Sequence, residues 1–188
     1  LSLCAASASR RAQARSTYER AVRMRTTLQS QPEDTRRRED YEKVIQTFQA
    51  VYRLNPAYSK TPVALAAAAE LYEEMGRRFS NERYYEAAIK AHRFLLEEYP
   101  QNRFAREALF TIGEIQYSAL ENPTQARQAF QEYLNRYSKS PQAAEARKRL
   151  KQIDGLLAER AAAPAAEQRE NRLPEVTAIR RWVGPNYT

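Results

Sequence analysis

Two stretches decide the fold: AIKAHRFLLEEYPQNRFAREALFTIGEI (residues 88–115) and ARQAFQEYLNRYSKSPQAAEARKRLKQI (residues 126–153). A shift of 38 residues lays one on the other. Ala88, Ala91, Leu96, Tyr99, Ala105, Ala108, Ile112 and Ile115 fall on Ala126, Ala129, Leu134, Tyr137, Ala143, Ala146, Leu150 and Ile153. Every pair keeps its size class at helical spacing, so the match records a buried face rather than shared composition. An earlier copy stands at an offset of 47, with Val44, Phe48 and Tyr52 on Ala91, Leu95 and Tyr99, and a longer loop between its helices.

Proline and cap residues divide the chain around this repeat. Thr61-Pro62, Asn122-Pro123 and Ser140-Pro141 each put a cap residue before a proline at the first helical position, where a missing N–H costs nothing. Asn102 caps another start, and Ser30-Gln31-Pro32-Glu33 reads as a capping box. Asn55-Pro56 and Tyr99-Pro100 read as stops. These marks predict helices near 12–29, 32–54, 62–79, 82–99, 103–120, 123–137 and 141–159, with no strand before residue 173. The body is expected to be all-α.

Composition agrees and excludes much else. The chain has 188 residues, with 4 Gly against 9 Pro, too few glycines for the tight turns of a β-sandwich or barrel. One cysteine excludes a disulfide within the chain, and one histidine leaves almost nothing for a zinc site. No run of 18 apolar residues occurs, so no membrane-spanning helix is expected. The net charge of +8 is uneven: residues 1–38 carry nine arginines and three acids, while residues 39–160 are nearly balanced. A nucleic-acid binder spreads its charge over a folded face with aromatic or polar base readers, so no nucleic-acid partner is expected.

Residues 1–14 read as the remnant of a signal peptide, with small-residue cleavage patterns at Ala6-Ser7-Ala8 and Ala12-Gln13-Ala14. A frayed, alanine-rich helix start is the plainer alternative. Cys4 follows Leu3, where a lipoprotein signal wants Gly, Ala or Ser.

Residues 69–102 resemble the tetratricopeptide repeat (TPR) through Tyr72, Met75, Gly76, Phe79, Ala88, His92, Leu95 and Pro100. The next copy offers Leu109, Ile112, Gly113, Tyr117, Ala126, Phe130 and Tyr133, with one residue inserted in the inter-helix turn. Gly76 or Gly113 is expected to let the first helix of a pair approach the second, with Ala88 or Ala126 receiving it. Ser138 departs from the pattern, which has proline there. The resemblance spans residues 39–158 and implies a superhelical stack of antiparallel helix pairs whose first helices line a concave groove. In this register the groove surface comprises Glu70, Glu73, Arg77, Glu107, Phe110, Glu114 and Tyr117. Four carboxylates, one arginine and two aromatic rings there imply a basic, partly apolar peptide as ligand.

The phrases FLLEEYPQN (94–102) and YLNRYSKSP (133–141) resemble those of envelope TPR proteins, the barrel-assembly lipoprotein and the Tol-Pal coordination protein among them. That resemblance implies an exported protein of the periplasm or cell envelope. After residue 160 the composition changes to an alanine-rich linker over 161–173. Residues 174–188 then alternate apolar and polar through Val176, Ile179 and Trp182, as a strand does. This tail resembles the opening of the AMIN domain, a small β domain that targets N-acetylmuramoyl-L-alanine amidases to the cell wall. The implied plan is a leader over 1–14, a TPR-like domain over 15–160, the linker, and the first strand of a truncated AMIN-like domain. A zinc amidase domain would lie downstream, and peptidoglycan would be reached through the downstream part. A stand-alone envelope assembly factor is the alternative.

No catalytic constellation, cofactor loop or metal set is legible in these residues, so none is expected to be an enzyme's working part. His92 takes the slot that Phe130 fills 38 residues later and is expected to pack. Glu73-Glu74 and Glu97-Glu98 diverge on a helix and read as solvated faces. Arg36-Arg37-Arg38 offers an anion site or, more simply, a solvated face paired with Glu39 and Asp40. The twelve tyrosines read mostly as spacers between helices.

Overall fold

The computed structural model describes the backbone of residues 2–170 and the side chains of residues 8–162. Among the described residues seven helices follow one another: α1 Ser2–Ser30, α2 Arg38–Leu54, α3 Thr61–Phe79, α4 Glu82–Glu98, α5 Arg103–Glu114, α6 Pro123–Tyr137 and α7 Ala143–Glu170. A 3₁₀ turn, Glu33–Thr35, joins α1 to α2, and a π turn, Ile115–Ala119, prolongs α5. No strand occurs among the described residues, as the sequence predicts. The strand expected over 174–188 lies outside them.

Each helix packs chiefly on its predecessor and successor in the chain. Odd and even helices also meet their own kind on opposite sides. Arg25 of α1 reaches Glu70 of α3, α3 touches α5, and Arg149 of α7 reaches Glu114 of α5. On the other side Tyr52 of α2 meets Phe94 of α4 edge-on at 5.0 Å, and Ala88 and Ile89 of α4 share a cluster with Ala129 of α6. The core lies along this line as a series of clusters. Its first part joins Tyr41, Phe48, Leu71 and Met75, and its last joins Leu109, Phe130, Tyr133 and Ile153.

Several starts and stops fall as the sequence predicts. Asn102 and Asn122 accept hydrogen bonds from the Phe104 and Gln125 amides, and α2 and α4 end before Asn55 and Tyr99. Others need correction. Ser30 is the last residue of α1, and its hydroxyl donates back to the Thr27 carbonyl, so it forms no capping box. The predicted helix 32–54 is broken, because Pro32 and Arg37 hold extended backbone on either side of the 3₁₀ turn. Thr61 is already helical behind Lys60, and its hydroxyl donates to the Asn55 carbonyl. Ser140 does not cap α7, which begins at Ala143; its Oγ meets the Tyr133 hydroxyl at 2.7 Å.

α1 is longer than predicted and begins within the stretch read as a leader. Ala14, Ala21 and Leu28, seven residues apart, are buried in the first part of the core. α7 likewise runs on to Glu170, into the expected linker. Among its described side chains the last buried residue is Ile153; beyond it the alanine-rich sequence supplies the highest intrinsic helix propensity.

The residue inserted between the two best-matched copies is taken up inside a helix. The Leu120 amide donates to the Ile115 carbonyl, closing a π turn, and Glu121 then adopts a left-handed backbone with φ 47°. α5 thereby runs a turn further than α3 before its cap, and α6 starts correspondingly late.

Candidate interaction surfaces

The repeat register is tied by a recurring clasp. The Tyr99 hydroxyl donates to the Pro56 carbonyl at 2.7 Å, and the Tyr137 hydroxyl donates to the Pro100 carbonyl at 3.4 Å. Each tyrosine ends an even helix and binds the proline that ended the even helix before it. Tyr52, at the same register position, donates instead to Glu98 Oε2 at 2.7 Å. Burial, with Tyr52 and Glu98 nearby, pushes the Tyr99 phenol up to about 12. The bond to Glu98 raises Tyr52 as well.

The glycines do permit close approach, in each case to an aromatic ring. A Cβ on Gly113 would stand 2.7 Å from the Phe130 ring, and one on Gly76 would stand 2.8 Å from the Tyr85 ring. Aromatic edges fill both notches, and Ala88 and Ala126 are fully buried.

His92 packs as predicted, with 4% of its surface exposed. Its Nε2 lies 2.8 Å from Glu73 Oε1, while its buried Nδ1 has no partner among the described residues. Glu73 and Glu74 diverge but are not solvated. Glu74 accepts from the Tyr41 hydroxyl at 2.6 Å and from Arg36 Nη1 at 2.8 Å. Burial first, then the bond to Glu74, raises the Tyr41 phenol.

The seven residues expected to line one groove divide between two places. Glu73 and Phe110 turn into the seams within helix pairs, Glu73 to His92 of α4 and Phe110 to Phe130 and Tyr133 of α6. Glu70, Arg77, Glu107, Glu114 and Tyr117 stay on the odd-helix side. Its acidic character is largely neutralised there. Arg25 Nη2 lies 2.8 Å from Glu70, and Arg149 grips Glu114 with two bonds of 2.8 and 3.0 Å while lying over the Tyr117 ring. These hydrogen bonds to Glu114 raise the Arg149 guanidinium above its ordinary value. Only Glu107 and Arg77 remain exposed with no ion pair among the described residues. The excess of carboxylates that pointed to a basic peptide is thus spent on contacts between helices.

The Arg36-Arg37-Arg38 run is structural too. Arg36 binds Glu74 and the Gln29 and Gln31 carbonyls, Arg37 binds Asp40, and Arg38 lies 4.9 Å above the Phe79 ring. No i,i+4 rule links Arg36 to Glu74, so this network had no sequence signal.

Sequence reasoning also missed an apolar groove of about 370 Å³ between α2, α3 and α4. Tyr52, Leu65, Tyr72, Ala91 and Phe94 line it, with Arg53 and Lys90 at its edge. Among the described residues no group of three or more His, Cys, Asp or Glu side chains is placed to hold a metal ion, and no helix is long and apolar enough to cross a membrane. No protein-family model matches the chain, and no curated protein is similar to it.

Proposed function

We propose that this chain is a non-catalytic, TPR-like protein-interaction module of an exported peptidoglycan amidase, with AMIN-type targeting beginning at its C-terminal end. The observation that carries the module reading is the recurrence of one clasp, Tyr99 to Pro56 and Tyr137 to Pro100, whose tyrosines stand 38 residues apart, the spacing of the sequence repeat. Equivalent units joined by equivalent contacts give a long outer surface instead of an enclosed reaction chamber. Such a surface recruits partners. Its ligand is a protein or peptide lying along the odd-helix side, where Arg77 and Glu107 remain exposed. The amidase context rests on the resemblance of residues 174–188.

The test uses purified peptidoglycan, residues 1–188, and the product of the whole reading frame. Residues 1–188 should release no stem peptides. The whole product should sediment with the sacculus and cleave it in a chelator-sensitive way. A whole product that ignores peptidoglycan favours the alternative, an envelope assembly or coordination factor of the barrel-assembly or Tol-Pal type.

A further inference from the structure

The α1/α2 end of the array leaves open a face that is covered further along. The offset of 47 that aligns the first copy puts Lys43, Thr47 and Ala50 on Lys90, Phe94 and Glu97. On α4 this face is met by the preceding even helix: Phe94 packs on Tyr52, and Lys90 and Phe94 share the groove with Gln49 and Arg53 of α2. On α2 the corresponding residues border only α1 among the described residues. Lys43, Gln46, Thr47 and Ala50 line a trough of about 370 Å³ with Arg20 and Met24. A second lobe of about 320 Å³ continues it over Met24, Leu28 and Val44, with Arg20, Arg23 and Lys43 around it.

The chemistry of this trough is one-sided. Neither Arg20 nor Arg23 has a carboxylate within 4.0 Å among the described residues. The one acid in the lining, Asp40, is already held by Arg37 at 3.3 Å and faces Lys43 at 3.9 Å. Three cations therefore surround a narrow apolar floor. Among the described residues no aromatic side chain lines either lobe, so the stacking platform that single-stranded nucleic acid uses is not built there. The surface is also hollow where a membrane-binding face would project apolar side chains.

We propose that this end face docks an acidic amphipathic helix of a partner protein, seated where a preceding even helix would lie. Its apolar side chains rest on Met24 and Val44, and its carboxylates face Arg20, Arg23 and Lys43. This is helix-in-groove recognition, with charge supplying register and orientation. It is independent of the odd-helix side and of the amidase reading.

The chain provides its own reporter. It has two methionines: Met24 in the trough and Met75, fully buried in the core. The probe is a panel of synthetic helical peptides of about 16 residues, with leucines at i, i+3 or i+4, and i+7 and glutamates on both flanks. Methyl NMR of ¹³C-methionine-labelled full chain follows binding. A saturable shift of Met24 with Met75 unmoved is expected for at least one register. The corresponding glutamine peptide should bind at least about tenfold more weakly, as should the glutamate peptide to Arg20→Glu/Arg23→Glu and, separately, to Lys43→Glu. All three residues are exposed, and an unmoved Met75 signal reports an intact core in each variant. The proposal is overturned by equal binding of the glutamine peptide, by equal binding to the charge-reversed variants, or by no Met24 shift up to about 1 mM peptide. It is equally overturned if anionic phospholipid vesicles or a single-stranded RNA move Met24 and the peptides do not.

Discussion

His92 Nε2 and Glu73 Oε1 lie 2.8 Å apart at the seam position where, one repeat later, Phe130 meets Phe110 edge-on with centroids 5.4 Å apart. One backbone arrangement is thus filled once by a polar pair and once by two rings. The polar version is the less comfortable, since the His92 Nδ1 is buried without a partner. Glu73→Leu alone strands a second buried ring nitrogen and should cost about 1–3 kcal/mol. The double replacement His92→Phe/Glu73→Leu should recover that loss and end neutral or more stable by about 1–4 kcal/mol. Urea denaturation of the three chains checks the sign.

The two glycines should respond differently to alanine. Phe130, which fills the notch at Gly113, is fully buried and pressed against Phe110, whereas Tyr85 beside Gly76 is half-exposed. Gly113→Ala should destabilise by about 1–3 kcal/mol through overpacking. At Gly76 the ring is free to swing outward, and the gain of about 1 kcal/mol in helix propensity should offset the contact. Equal denaturation midpoints for both variants would refute this packing.

Tyr99 supplies a pH signature. Its folded-state value of about 12 lies above its ordinary value of 10.0, so its contribution is complete below pH 10. Above that the unfolded chain ionises first, and stability is lost as pH rises toward 12. Tyr99→Phe should remove this part of the alkaline decline. At neutral pH it should cost about 0.5–1.5 kcal/mol by leaving the Pro56 carbonyl without its donor. Denaturation at pH 8, 10 and 11 measures both effects.

The Arg149–Glu114 contact bridges α7 to α5 with two parallel bonds and roughly a quarter of each side chain exposed. A double-mutant cycle of Arg149→Met and Glu114→Gln should give a coupling of about 1 kcal/mol, shrinking at high salt. Arg15–Glu19, exposed on one helix, should give about 0.5 kcal/mol or less by the same measurement.

Much of this scaffold was legible because it is written in spacing. The 38-residue match and the asparagine and proline punctuation fix α3, α4 and α6, and α5 together with its π turn, to within a residue or two of their observed ends. Other starts failed because Ser30, Thr61 and Ser140 spend their hydroxyls on other partners, a choice made by tertiary contacts. The surface was less legible still. Helical spacing put Glu73 and Phe110 beside Glu70 and Glu107, yet a rotation of about 300° from i to i+3 is enough to turn them into the seam. Glu70 and Glu114 lie on the expected side, but their cations come from helices 45 and 35 residues distant in sequence. No local pattern announces such a pairing.

The central claim is that the odd-helix side is where this module meets its partner. A photo-crosslinking amino acid at Arg77 or Glu107, exposed on α3 and α5, is compared in cells with the same group at Glu86 or Arg93, exposed on α4. The account predicts one adduct of defined mass from positions 77 and 107 and none from 86 or 93. Adducts from α4 alone, with positions 77 and 107 silent, would contradict it.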